Sequence, residues 1–530
     1  MTIITILNIL AFSLLLKWRW TIPLSGRLRL YWLLLLPTLT LLFRIPFLTD
    51  LEIDVDTSTW IASAISIDYY PDKLWKMLTF TDSRPLTVLP VYGMLYAGIP
   101  VNYISTELLG LVIWLLIAGI NFFTLRYLIP EKAALILSGC GAVFIGSCNA
   151  SDFTAYNSEF VSILMLSFST LVAVRLYTGK FSVYGILLSG IVLGAVIYAK
   201  FQNAPMGLVI AGFTILLLFQ NKKFKMMIWF ILMGFAPTLI ILLIFTWKGA
   251  PDQFWINYLL NYLEYSFTTQ FQSLTMAERF SPFRAMRFVL HYYQSRLFFG
   301  TLLMSLMVGI YFLARSKKIR VALQSPIFLF ALLLLISSLY AVLQSGNAFG
   351  HYLLYLIIPL VLMLAVTAHL VRPPQISTLC LLLLSGTVCQ ISINLIFYHD
   401  RLPPATFRND HQIVKVITDH STHTDNMVIW GWIDRLHHLS GRACGYSMAH
   451  THHLFLHQSR LLPYRMDSFL TDMATNRPAV FVEDTGGRYS PLPGIFRPLD
   501  EYPEIRQYIN QHYHLLTSIE GINIYRRKGH

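Results

Sequence analysis

A chain of 530 residues that is 55% hydrophobic and only 13% charged lies far from a soluble domain, in which charged residues make up about 25%. Its mean hydropathy of +0.57 and its recurring apolar runs, each near the roughly 20 residues that cross about 30 Å of hydrocarbon, define a polytopic membrane protein. The formal net charge of +13 does not point to nucleic acid, because most Lys and Arg sit in short loops between apolar runs, where they set orientation.

The first apolar run, 2–16, lacks the basic flank and cleavage site of a signal peptide and is expected to be a retained helix. Further spans are expected at 30–46, 106–125, 133–148, 159–177, 182–198, 206–220, 226–246, 297–314, 325–344, 352–370 and 375–398, roughly a dozen in all. The segment Pro85 to Val101 is apolar but short, and it is interrupted by Pro85, Pro90, Gly93, Gly98 and Pro100. If it stays in the interface, the first basic loop (Lys17, Arg19, Arg27, Arg29) shares a side with Arg126 and Lys132, Arg175 and Lys180, Lys222, Lys223 and Lys225, Arg315, Lys317, Lys318 and Arg320, and Arg372. If it crosses, that loop lands opposite all the others. Basic short loops mark the cytoplasmic side, so the segment is expected to be interfacial or re-entrant. Residues 47–105, 149–158, 199–205, 247–296, 345–351 and 399–530 then share the outer face.

From about residue 399 the composition turns polar and rich in histidine, with the β-like runs "MVIWGW", "AVFVED" and "GINIYRR". The expectation is a transmembrane domain, 1–398, followed by a small outer α/β domain, 399–530. Of five cysteines, Cys140, Cys148, Cys380 and Cys389 lie in or beside spans and only Cys444 in the tail, so no disulfide framework is implied.

Charged residues that could do chemistry collect in the outer segments. Asp50, Glu52, Asp54 and Asp56 follow the second span. Asp82 and Arg84 come next in the same loop. Asp152, Asn157 and Glu159 stand at the mouth of a later span, Lys200 in another turn, and His351 with Tyr352 at a third. Arg279, Arg284 and Arg287 are reserve cations in the large loop. Each has a structural reading too. Asp152 and Glu159 could cap the helix starting near Asn157, and an isolated outer cation could bind lipid headgroups. His351 and Tyr352 could be core residues at a span entrance. The aromatic run Phe254, Trp255, Tyr258, Tyr262 and Tyr265 fits an interfacial belt, with sugar stacking by Tyr258 or Tyr262 as an addition. The Asp54-Val55-Asp56 pair invites a hard cation. The tail histidines His437, His438, His450, His452, His453 and His457 include zinc-compatible spacings but no Cys pattern, so a polar surface is expected.

No Walker loop, Rossmann fingerprint or nucleophile elbow occurs, which weakens ATP-driven transport. A transporter or flippase of a lipid-linked or small polar substrate is the alternative reading. Such proteins place ionisable groups near the bilayer midplane, whereas these gather at one face.

The pieces "RIPFLTD", "DVDTSTWIASA", "SRPLTVLPVYG", "YNSEF" and "FGHYLLYLIIPL", in that order and on one side, resemble the GT-C glycosyltransferases. Among these the sequence is similar to the protein O-mannosyltransferases (dolichyl-phosphate-mannose-protein mannosyltransferases) and the bacterial aminoarabinose transferases that modify lipid A. The likeness covers roughly residues 30–400, and "VIWGWIDRLHHLSGR" is also similar to the tails of the bacterial enzymes. The resemblance implies an all-α GT-C membrane domain that moves a sugar from a polyprenyl-phosphate donor to a glycan, lipid or protein acceptor. It implies a bacterial inner membrane, a periplasmic tail, and no cofactor or required metal. Asp56 matches the Asp of the family's first-loop Asp-Glu pair, with Thr57 in place of the Glu, and is the first candidate for the base that deprotonates the acceptor hydroxyl; Asp54 is the second. Arg84-Pro85-Leu86 stands where the family has Lys-Pro-Pro. Arg84 and Lys200 are candidates to stabilise the leaving phosphate, and Glu159, Asp152, His351, Tyr352 and Tyr258 to bind substrate.

Overall fold

The computed structural model describes residues 26–80, 84–267, 274–347, 349–371, 373–397, 409–488 and 494–529. The expected first span, 2–16, and Lys17, Arg19, Asp82 and Arg372 lie outside the described residues, as does the expected boundary at 398/399.

Every other expected span is helical: α1 (Gly26–Arg44), α5 (Tyr103–Leu125), α6 (Glu131–Ser147), α7 (Ser158–Tyr177), α8 (Val183–Ala195), α9 (Ala204–Gln220), α10 (Phe224–Trp247), α11 (Arg296–Arg315), α12 (Pro326–Leu343), α13 (Leu354–Leu370) and α14 (Pro373–Ile396). Among the described residues, eight helices are long and apolar enough to cross a membrane. Helix is the open-chain answer to lipid, because each backbone N–H and C=O is satisfied within its own segment. α13 is the hub. It is buried along almost its whole length and packs on α11 and α12, whereas α10 leaves most of its apolar surface outward. α10 leans on α8 at close range, where Gly190 and Gly194 leave no room for a Cβ against the backbone of Phe230 and Gly234. At the end of α1, Arg44 is fully buried, paired with Glu107 of α5, and donates to the Cys148 carbonyl at 2.8 Å.

The segment 47–105, expected as loop, contains three helices: α2 (Val55–Tyr69), α3 (Lys73–Thr79) and α4 (Pro85–Tyr96). α2 is buried on nearly all sides and rich in Ser, Thr and Ile. It therefore shows neither strong helix propensity nor an amphipathic period. Caps set where these helices begin: Asp54 accepts from the Asp56 amide at 2.9 Å and Asp72 from the Trp75 amide at 3.0 Å. α4 has 12 residues, about 18 Å of helix, too short to span, in keeping with the interfacial expectation for this segment.

The tail carries a five-stranded sheet in the order β2-β1-β3-β5-β4, from β1 (Asn426–Trp430), β2 (Ala443–Cys444), β3 (Val480–Asp484), β4 (Tyr513–Ile519) and β5 (Ile522–Arg527). β2, β1 and β3 run parallel, and β5 and β4 complete the sheet antiparallel. β1 and β3 are buried on both faces. Val428, Trp430 and Phe481 meet one apolar cluster; Met427, Ile429, Val480 and Val482 meet the other. The helices α15 (Asp410–Asp419), α16 (Arg435–Ser440), α17 (Leu462–Asn476) and α18 (Pro503–His512) pack around it.

The tail is pinned to the membrane part. Thr59 of α2 donates to Asp434 at 2.6 Å, the Cys444 amide donates to Ser66 at 2.9 Å, and Tyr70 donates to the Cys444 carbonyl at 3.0 Å. Arg465 reaches Glu264 at 2.6 Å and Asn261 at 2.7 Å. Buried Arg435 grips Asp410 through two hydrogen bonds, at 2.7 and 3.1 Å, and lies 3.4 Å from Glu52, whose carboxyl burial pushes up to about 7 against the pull of Arg435. Removing this guanidinium would strand two carboxylates. Arg435→Ala is expected to destabilise the protein by about 3–5 kcal/mol, read as a lowered unfolding midpoint in detergent.

Candidate active site

The turns between membrane helices at one end of the bundle converge with the tail around a cavity of about 250 Å³. Asp54, Asp56 and Trp60 come from the start of α2, Arg84 from the start of α4, Asp152 from the turn before α7, Lys200 from the turn between α8 and α9, and His351 and Tyr352 from the turn entering α13. Asn257, Asn261, Tyr262 and Tyr265 come from the loop after α10, and Trp432, His450, His452 and His453 from the tail.

A chain of hydrogen bonds holds these turns in register. Thr57 donates to the Tyr156 carbonyl at 3.1 Å, Tyr156 to the Thr87 carbonyl at 2.6 Å, and Thr87 to the Ala199 carbonyl at 3.0 Å. α2, α4, the entry to α7 and the Lys200 turn therefore move together. Asn157 is the N-cap of α7, accepting from the Glu159 amide at 3.2 Å. Glu159 itself sits one layer below the cavity, fully buried, 2.8 Å from Lys200 and accepting from Tyr355 at 3.0 Å. It fixes Lys200 instead of lining the space.

Acids and cations line the cavity together. Asp54 and Asp56 are both half-buried. Burial, and next the charge of Asp56, raise the Asp54 carboxyl to about 8. Arg84 has its guanidinium between two rings, 5.6 Å from the Trp60 centroid and 5.8 Å from that of Tyr262. The Lys200 ammonium lies 5.4 Å from the Tyr352 ring. Asp152 accepts from the His351 amide at 3.2 Å, with the His351 Nδ1 3.4 Å from the same oxygen. Gly350 makes this possible, since a Cβ there would lie 2.7 Å from the Asp152 carboxyl. Asp54, Asp152 and His351 bring ligand atoms within 4.8 Å of one another, a donor set that fits a divalent cation.

The cavity thus gathers Asp54, Asp56, Arg84, Asp152, Lys200, His351 and Tyr352. Tyr258 is not among its lining residues. Its ring packs with Tyr198, Phe245 and Phe254 and its hydroxyl donates to the Leu78 carbonyl at 2.7 Å, so of the two tyrosines it is Tyr262 that lines the cavity. The reserve cations serve the fold or the surface. Arg279 is buried and donates to the carbonyls of Ser266 and Gln344, at 3.0 and 2.9 Å, Arg284 donates to that of Gly346 at 2.6 Å, and Arg287 is exposed. The tail histidines do not form the expected polar surface. His437, His450, His452 and His453 are buried, and the last three line the cavity. Their legible signal is position: Gly431-Trp432 directly follows the C-terminal end of a parallel strand, where open α/β sheets present binding loops.

Helices, sheet and cavity make up a polytopic helical bundle with a small α/β tail docked on one end, and this fold is shared with solved membrane proteins. The solved structures it is similar to include ArnT from Cupriavidus metallidurans bound to undecaprenyl phosphate, with TM-score 0.57 and 11% identity over 95% of this chain and 98% of that one. The same protein in the apo state gives 0.51 and 12% over 94% and 98%. The oligosaccharyltransferase of Archaeoglobus fulgidus, tethered with an acceptor peptide containing the NVT sequon, gives 0.50 and 10% over 95% and 74%. Comparison with protein-family models and with curated proteins gives no match.

Proposed function

We propose that this chain is a membrane glycosyltransferase that moves a sugar from a polyprenyl-phosphate donor to an acceptor at the outer face of a bacterial inner membrane, with residues 399–530 as its periplasmic domain. The observation that carries the reading is the cavity at the end of the helix bundle, which Asp54, Asp56, Arg84 and Lys200 line together. A sugar tethered to a polyprenyl tail can be handed over only where lipid meets water. Support comes also from the shared fold of a protein solved with undecaprenyl phosphate and another solved with an acceptor peptide.

In this reading Asp56 takes the proton of the acceptor hydroxyl as its oxygen attacks the anomeric carbon. The bond from that carbon to the phosphate oxygen breaks with its electron pair, and polyprenyl phosphate leaves toward Arg84 and Lys200, which are already oriented. Attack opposite the leaving group inverts the anomeric configuration. Purified protein given radiolabelled polyprenyl-phosphate sugars and membrane extract should move label into an extract component. Failure with every sugar would overturn the proposal.

Asp54 supplies a pH signature. Burial and the charge of Asp56 raise its carboxyl to about 8, so it holds its proton at neutrality. Above that pH it gains a negative charge beside Asp56 and toward the leaving phosphate. The turnover rate should therefore fall on the alkaline side of about pH 8, and Asp54→Asn should carry the neutral-pH plateau past that point. An unchanged alkaline limb in the variant would assign the fall to another group.

A further inference from the structure

We propose that Trp432 and His452, backed by His450, form a ring-binding roof for a sugar on the acceptor, so that the acceptor is a saccharide-bearing molecule. This rests on the glycosyltransferase reading. The Trp432 ring is stacked on His450 at 4.3 Å and 18° and on His452 at 4.7 Å and 19°. All three line the cavity, and all three come from the tail. The Trp432 indole Nε1 is buried and has no hydrogen-bond acceptor among the described residues, whereas the Trp430 Nε1 donates to the Arg497 carbonyl at 3.1 Å.

A flat, fixed aromatic surface with an N–H donor at its edge suits the C–H face and the hydroxyls of a pyranose. It suits an anionic phosphate poorly, and the phosphate has Arg84 and Lys200 on the membrane side. The roof comes from the tail, whereas Arg84 and Lys200 come from turns of the membrane part.

The roof is also held to the base. Asp434 accepts from Thr59 at 2.6 Å and lies 2.8 Å from His450 Nδ1, with both Asp434 and His450 buried. Thr59 stands one turn along the helix that begins at Asp54 and Asp56. The position of the stacked rings is thereby fixed relative to Asp56, which is what orienting an acceptor hydroxyl toward a base requires. His450 and Asp434 are positioning residues; Trp432 and His452 present the surface.

The test uses the full-length protein, a radiolabelled polyprenyl-phosphate sugar that it turns over with membrane extract, and a panel of p-nitrophenyl hexopyranosides and pentopyranosides as acceptor probes. The wild type should glycosylate at least one probe. Trp432→Ala should then raise the probe KM by about tenfold or more while the donor KM stays within about twofold, the loss expected for an aromatic contact and a hydrogen bond. Trp432→Phe keeps an aromatic face, smaller than the indole, and loses the N–H, so its probe KM should fall between the two; it decides the matter if the alanine variant unfolds. A rise in donor KM instead of probe KM, in either variant, would overturn the roof assignment. So would wild-type transfer to membrane extract but to no glycoside. Absence of any transfer by the wild type would remove the glycosyltransferase reading itself.

Discussion

Asp56→Asn is expected to lower the rate of sugar transfer by about 100- to 10,000-fold, the range that a positioned general base contributes, with little change in donor KM. The amide keeps the size and hydrogen-bonding reach of the carboxylate but cannot take a proton. Because Asp56 lies in the first turn of α2, after the Asp54 cap, the substitution leaves the capping bond intact and should not unfold the helix. The measurement is single-turnover transfer from the radiolabelled donor, with the unfolding midpoint as control. Equal transfer by wild type and variant would remove Asp56 from the mechanism.

Arg84→Lys is expected to cost about 100-fold or more in turnover, comparable to the loss of one preorganised donor from a site where charge develops. The position argues for a role beyond solubility. Arg84 holds φ at +45° directly before Pro85, a left-handed conformation that costs about 1–3 kcal/mol for a residue with a side chain and that proline disfavours further in the residue before it. The chain keeps this strain while the guanidinium is held between Trp60 and Tyr262. Lysine keeps the charge but loses the planar fork that stacks on rings and grips phosphate through two bonds. The loss should fall on turnover more than on protein stability; a variant with normal turnover and a weakened fold would make Arg84 structural.

Most of the membrane part was legible because lipid forces the issue: apolar runs such as Phe224–Trp247 and Gly350–Leu370 have no alternative to helix. The site was legible as charge in the wrong company, acids and bases beside greasy segments, and Asp54, Asp56, Arg84, Asp152, Lys200, His351 and Tyr352 do meet in one cavity. What escaped depends on contacts remote in sequence. Thr59 and Asp434 are 375 residues apart, and only the docking of the tail turns "HTHH" from a polar run into a buried cavity wall and makes α2 a helix enclosed on all sides. Tyr258 and Tyr262 stand one helical turn apart, so composition could not separate the one that packs inward from the one that faces the cavity. Arg279 likewise looked available, yet it is spent on the carbonyls of Ser266 and Gln344.

The central claim is that a lipid-linked phosphate occupies this cavity, and it is tested most directly by solving the purified protein with undecaprenyl phosphate by electron cryomicroscopy. The phosphate should lie within about 4 Å of the Arg84 guanidinium and the Lys200 ammonium, the distance of an ion pair, with its tail leaving between membrane helices. A phosphate bound elsewhere, with Arg84 and Lys200 still turned to their present neighbours, would contradict the account.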